Sequence, residues 1–206
     1  MDKDIDSQKL DNNFNFIFPN WGQIYASLID LSDIIQKSHF EPDLIVGISR
    51  GGLIPARILS DLLQNPKLAS ITTEFYFGIG KPTSKPVITQ QISISIKNKK
   101  ILVVDDVADS GKSLTLINHH LKEKGAKEIK FVTIYLKFQS SFIPDYYKLK
   151  TNDWIVFPWE LKEATKLIVQ ELGLKGKNIE YSKEKLISSG MNKMLIDRFI
   201  KEIFGE

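Results

Sequence analysis

Ile101-Leu102-Val103-Val104-Asp105-Asp106-Val107-Ala108-Asp109-Ser110-Gly111-Lys112-Ser113 is the stretch that decides the fold. Four apolar β-formers run straight into two adjacent carboxylates. A third carboxylate follows, then a hydroxyl, a glycine, a lysine and a second hydroxyl. Residues 114–124 continue with helical spacing. The segment reads as a buried strand, an acidic turn and a helix whose first turn is rich in phosphate-binding groups. A helix N-terminus presents unpaired N–H groups and partial positive charge, which suits a phosphate monoester. Two carboxylates beside it suit vicinal sugar hydroxyls, or a share in a hard divalent ion. Diol and phosphate together spell a sugar phosphate.

Gly111-Lys112-Ser113 also ends the nucleotide-triphosphate P-loop pattern, but that pattern needs a glycine five residues earlier. Asp106 stands there, a carboxylate where phosphate would approach, so the P-loop reading is rejected. The plain alternative is an ordinary strand-to-helix turn with a Ser cap and solvated aspartates. The order acid-acid-x-x-acid-Ser-Gly-Lys-Ser after a buried strand is more particular than that.

Working outward, residues 14–18 suit a short strand, and Asn20 suits a helix cap ahead of an apolar face at Ile24, Leu28, Leu31, Ile34 and Ile35. Residues 43–48 read as a buried strand, Ser49-Arg50-Gly51-Gly52 as a tight loop and residues 53–63 as a helix. Further strands are expected at 68–77, 87–96, 129–137 and 153–157, with 138–152 irregular. The tail is expected to be helical over 161–172, stopping at Gly173, with Ser182 and Asn192 capping two more helices. Strands alternating with helices predict an α/β fold with a mostly parallel sheet flanked by helices. Ligands in such folds bind at the carboxyl ends of the strands. Three chemically loaded segments fall there, after Ile48, after Val104 and at Lys137.

The composition bounds the rest. A chain of 206 residues fits one domain, or a domain with an appendage. There is no cysteine, which excludes disulfides and thiolate chemistry. The net charge of +3 comes from lysines scattered among acids, not from a nucleic-acid footprint. No apolar run approaches the roughly 18 residues of a membrane span, and the first residues are acidic and polar, unlike a signal or transit peptide. A cytoplasmic protein is expected, with no nucleic-acid or membrane partner.

The opening stretch resembles the phosphoribosyl-diphosphate signature of the type I phosphoribosyltransferases. Val46-Gly47-Ile48-Ser49-Arg50-Gly51-Gly52-Leu53-Ile54-Pro55 resembles the family's pyrophosphate loop, in the form of the xanthine-guanine enzymes. Phe131-Val132-Thr133-Ile134-Tyr135-Leu136-Lys137 resembles the strand ending in the purine-recognising lysine. Asp153-Trp154-Ile155-Val156-Phe157-Pro158-Trp159-Glu160 resembles the base-stacking segment. The matches keep family order and lie between Trp21 and Glu160; the residues before Phe18 and after Leu161 match no part of it.

The resemblance implies a 6-oxopurine phosphoribosyltransferase with a small hood. The core would span residues 1–160 and a helical C-terminal tail residues 161–206. Its substrates would be 5-phospho-α-D-ribose 1-diphosphate and guanine, hypoxanthine or xanthine. Mg2+ would be the cofactor, and the assembly a homodimer or homotetramer. Asp105 and Asp106 would hold the ribose hydroxyls and the metal, directly or through water. Asp109 would face the purine N7 and accept its proton. Ser110, Gly111, Lys112 and Ser113 would bind the 5′-phosphate. Arg50 and Gly51 would hold pyrophosphate, in a loop that often carries a non-proline cis peptide. Lys137 would read the 6-oxo group, Trp154 would stack on the base, and the Ile155 backbone would read its edge. Glu160 suits either the metal's outer shell or a helix cap. Residues 75–90 would form a closing loop; many relatives carry Ser-Tyr there, whereas this chain offers Tyr76 between Phe75 and Phe77. The rival readings are an adenine or pyrimidine transferase, against which Lys137 and the Trp154 segment speak, and a non-catalytic regulator that senses the diphosphate sugar.

Overall fold

The structure is a computed structural model and describes residues 15–76 and 85–205. The expectations for the N-terminal extension and for residues 77–84 of the closing loop lie outside the described residues, as does the Tyr76 side chain. Contacts divide the chain into two compact units, one of Ile24–Asn152 and one of the described residues up to Gln23 with those from Asp153 onward. The division falls after Gln23 and after Asn152, whereas the sequence reading places one boundary at 160/161.

In chain order, β1 is Phe16–Ile17, α1 Trp21–Lys37, β2 Leu44–Ser49, α2 Leu53–Leu62, β3 Leu68–Tyr76 and β4 Lys85–Gln90. Then come β5 Lys100–Ala108, α3 Lys112–Glu123, β6 Glu128–Lys137, β7 Tyr146–Thr151 and β8 Trp154–Ile155. Three helices close the chain, α4 Leu161–Leu174, α5 Ile179–Ser188 and α6 Lys193–Phe204.

The larger unit is built on a six-stranded sheet in the order β4-β3-β2-β5-β6-β7. Every pair in it is parallel except β3 with β4. Strand β2 over Leu44–Ile48 and strand β5 over Ile101–Val104 are unbroken runs without a charged or polar side chain, because helices cover both faces of the sheet there. Leu44, Val46, Ile48, Ile101 and Val103 share a core with Leu114, Ile117 and Leu121 of α3. On the opposite face Gly47 lies so close to α2 that a Cβ there would sit 3.0 Å from the Ala56 Cβ.

Helix α1 starts with a reciprocal cap: the Gln23 N–H donates to Asn20 Oδ1 and the Asn20 N–H to Gln23 Oε1, both at 2.9 Å. Ile24, Leu28, Leu31 and Ile35 form its buried face. Ile34, expected on that face, is exposed, since the stripe needs only one residue per turn there.

Three strand expectations are revised. Strand β5 does not end at the acids but runs through them to Ala108, because β6 stays paired with it as far as Ala108↔Leu136. Strand β4 stops at Gln90, where its ladder with β3 ends at Thr72↔Gln90; Ile92 and Ile96 still turn into the core. Residues 146–151, read as irregular, form the edge strand β7. Their alternation is weak because four of the six are exposed. Tyr146 turns inward, its hydroxyl 2.7 Å from Ser38 Oγ, and Lys148 pairs with Asp30 at 2.7 Å.

The second unit contains the parallel pair β1–β8 and helices α4, α5 and α6. Val156, Ile168, Leu186, Met191, Ile196 and Ile200 lie in its core. Helix α4 passes through Gly173 to Leu174, two residues beyond the expected end at Leu172. The cap of α5 is Asn178, whose side chain accepts from the Tyr181 N–H at 2.8 Å. Ser182, expected there, lies inside the helix and donates back to the Asn178 carbonyl. Asn192 caps α6 as expected, accepting from the Leu195 N–H. No helix among the described residues is long and apolar enough to cross a membrane.

Candidate active site

Asp105 and Asp106 lie within β5, near its carboxyl end at Ala108, where β6 is still paired alongside. Asp106 is buried and its carboxylate lies directly over Gly51, in the loop after β2. Asp105 is half-buried by surface yet deeply surrounded by protein, and its Oδ1 accepts the Asp106 N–H at 3.0 Å. Burial, and then the neighbouring charge of Asp106, hold the Asp105 carboxyl well above the usual carboxylate range. Two adjacent acids in such a place favour a cation or hydroxyl donors.

The Gly51 loop has a cis peptide between Ser49 and Arg50. Gly52 packs backbone to backbone, since a Cβ there would lie 2.8 Å from the Ile48 carbonyl oxygen. The same carbonyl accepts the Gly52 N–H at 2.9 Å. Arg50 is exposed at the loop's rim. Both glycines thus answer to close approach, Gly51 to a carboxylate and Gly52 to two strands.

After Ala108 the chain enters the expected phosphate loop. Gly111 adopts φ +78° and leads directly into α3, which begins at Lys112. That left-handed conformation favours glycine. Ser110 Oγ accepts the Lys112 N–H at 3.4 Å, while Lys112 itself is exposed and Ser113 half-buried. Asp109 stands exposed at the loop's start.

A neighbouring segment, unmarked in the sequence, shapes this loop. Residues 139–142 follow Lys137 at the end of β6 and fold against it. Gln139 Nε2 donates to Asp109 Oδ1 at 2.9 Å. The Ser141 hydroxyl and N–H both donate to the Ser110 carbonyl, at 2.8 and 3.2 Å. Phe142 fills the space beside Gly111 and meets Phe131 edge-on, with centroids 4.7 Å apart. No motif could have flagged Gln139 or Ser141, because they are ordinary polar residues in an irregular stretch.

Lys137 closes β6, which neighbours β5 through Ala108↔Leu136. The larger unit therefore gathers Arg50, Gly51, Asp105, Asp106, Asp109, residues 110–113 and Lys137 at the carboxyl ends of three adjacent strands. Trp154 and Ile155 belong to the other unit. Trp154 is half-buried, its ring 6.3 Å from that of Phe16. The Trp154 and Val156 N–H groups donate to Asn15 and Ile17 of the β1 segment. Strand alternation therefore turns the Ile155 N–H and carbonyl away from β1. Glu160 precedes α4 and its Oε1 accepts the Phe157 N–H at 3.3 Å.

The described residues contain no cluster of three or more His, Cys, Asp or Glu able to hold a metal. Mg2+ rarely needs one, since it is commonly bound by one or two carboxylates with water and substrate phosphates. The Asp105–Asp106 pair fits that manner of binding.

Fold and chemistry together define an α/β enzyme whose candidate residues lie along the carboxyl edge of a parallel sheet. The chain belongs to the phosphoribosyl transferase domain family, which it matches over residues 20–166, and is a pentosyl-transferring enzyme. A purine phosphoribosyltransferase from Pyrococcus horikoshii is similar in structure, with a TM-score of 0.64 and 40% identity over 71% of this chain and 94% of that one. A xanthine-guanine phosphoribosyltransferase of Cereibacter sphaeroides is 31% identical over 57% of this chain and 68% of its own length. A xanthine-guanine-hypoxanthine phosphoribosyltransferase of Helicobacter pylori, at 22% identity and a TM-score of 0.62, shares the fold.

Proposed function

We propose that the protein transfers the 5-phosphoribosyl group of 5-phospho-α-D-ribose 1-diphosphate to guanine, hypoxanthine or xanthine. The products are a purine nucleoside 5′-monophosphate and pyrophosphate. One observation carries the choice of a 6-oxopurine: Lys137 ends the strand beside β5, at the same sheet edge as Asp105, Asp106 and Asp109. An ammonium only donates hydrogen bonds, so it suits an oxo group and leaves an amino group unmatched. The name of the Cereibacter relative points the same way, and that of the Pyrococcus relative supports a purine.

In this reading the helix start at residues 110–113 holds the 5′-phosphate with backbone N–H groups and hydroxyls. Arg50 and the Gly51 loop hold the diphosphate. Asp105 and Asp106 accept from the ribose hydroxyls and would hold Mg2+, directly or through water. When bound, that ion neutralises charge on the departing diphosphate. A purine nitrogen forms the bond to the anomeric carbon while the carbon–oxygen bond to diphosphate breaks. Asp109 takes the proton the base gives up. Trp154 stacks on the base and the Ile155 backbone reads its edge. Positioning and electrostatics carry most of the rate, since no covalent enzyme intermediate is required.

A cytoplasmic homodimer or homotetramer completes the proposal, and sedimentation of the purified protein measures its size. The decisive experiment follows pyrophosphate release with guanine, hypoxanthine, xanthine and adenine. Turnover with at least one 6-oxopurine, well above adenine, is expected. Preference for adenine overturns the base assignment. Tight binding of the diphosphate sugar without turnover on any base favours the regulator instead.

A further inference from the structure

We infer that Gln139 is a positioning residue for Asp109, and that the segment after Lys137 ties base recognition to the proton acceptor. The inference rests on the reading of Asp109 given above. An ionised carboxylate can only accept hydrogen bonds, so the group facing it must be the Gln139 amide nitrogen. The contact at 2.9 Å uses Oδ1 and restricts rotation of the carboxylate. Oδ2 is left open to accept a proton from the base.

Both residues are exposed, and a lone contact between exposed side chains would be loose. Here the backbones that carry them are bound to each other. Ser141 places two donors on the Ser110 carbonyl, at 2.8 and 3.2 Å. Phe142 closes over Gly111, and Ser140 Oγ donates to the Phe142 carbonyl at 2.8 Å, keeping the turn tight. Gln139 therefore reaches Asp109 from a braced support. Its support begins two residues earlier at Lys137, so a base drawn to Lys137 meets a carboxylate whose orientation the same segment sets. Hydrogen bonds to charged groups are the strong kind, and the orientation of a proton acceptor affects the chemical step more than sugar binding.

The test compares Gln139→Ala, Gln139→Glu, Asp109→Ala and the double variant Gln139→Glu/Asp109→Ala in steady-state kinetics with the preferred 6-oxopurine. Thermal melting of each variant is recorded alongside. Gln139→Ala should lower kcat about tenfold, with KM for the diphosphate sugar within about twofold. Gln139→Glu, which keeps the shape but replaces the donor with a repelling acceptor, should lower kcat further. In the Asp109→Ala background Gln139→Glu should add nothing, because its target is gone.

A rise in KM for the sugar at unchanged kcat would show that Gln139 only shapes the phosphate loop, and overturns the inference. Independent multiplication of the two effects also overturns it. If Asp109→Ala abolishes turnover while both Gln139 variants keep wild-type kcat, only the role of Gln139 falls. If Asp109→Ala itself keeps turnover within tenfold, the reading of Asp109 fails and the inference with it.

Discussion

The carboxylate of Asp106 occupies the space that a side chain on residue 51 would need, so Gly51 and Asp106 pack as one unit across β2 and β5. The loop proposed to hold pyrophosphate and the acids proposed to hold ribose are thereby in register.

Gly51→Ala tests that contact. The new methyl group must displace either the carboxylate or the loop, a collision of the kind that costs roughly 1–3 kcal/mol. We expect a loss of diphosphate-sugar affinity, seen as raised KM, with a melting temperature lowered by a few degrees. Unaltered kinetics would mean that the loop adjusts freely and does not set the site.

Asp105→Asn with Asp106→Asn should weaken use of the diphosphate sugar far more than purine binding. Two charge-assisted hydrogen bonds are removed, about 3 kcal/mol or more. Isothermal titration with the sugar and with the base separately measures the contrast, and equal losses would refute the assignment.

Asp105 also sets a pH dependence. Its carboxyl is held well above the usual range, by burial first and Asp106 second, so the folded chain binds this proton more tightly than the unfolded chain. Its contribution to stability is therefore largest in acid and falls as pH rises from the unfolded carboxylate range through the folded value. Asp105→Asn alone should raise the melting temperature of the free protein at neutral pH while lowering activity, the trade-off common at binding sites. A gain of ~1 kcal/mol would appear as ~2–4 °C for a domain of this size. If the difference in melting temperature between Asp105→Asn and wild type does not grow as the pH rises from acid to neutral, Asp105 is not the source.

Asp109→Ala should lower turnover by about 10²–10⁴-fold while the protein stays folded. The side chain is exposed and its removal opens no cavity. A drop of less than tenfold, measured by pyrophosphate release, would leave Asp109 as a loop residue only.

Purine choice should divide between Lys137 and Trp154. Lys137→Ala is expected to erode discrimination between 6-oxopurines and adenine by roughly 10²-fold or more, because a buried-donor requirement is what rejects the wrong base. Trp154→Ala should weaken all purines alike, since stacking hardly distinguishes them. The readout is kcat/KM for hypoxanthine, guanine, xanthine and adenine. Equal losses across the bases for Lys137→Ala would remove it from recognition.

The sequence by itself determined the α/β architecture, the central strands and the stretch from Ile101 to Ser113. Those features are local: apolar runs mark doubly covered strands, and Gly111 and Asn20 sit where backbone geometry demands them. Pairing partners decided what local pattern could not. Strand β5 carries the acids within the sheet because β6 continues alongside, and β7 forms at an exposed edge because β6 offers it a ladder. The same holds for Asp106 over Gly51 and Gln139 on Asp109, residues 55 and 30 positions apart in the chain. Hydrogen bonds and steric contacts between distant residues depend on where the backbone returns, and only the folded sheet brings those residues together.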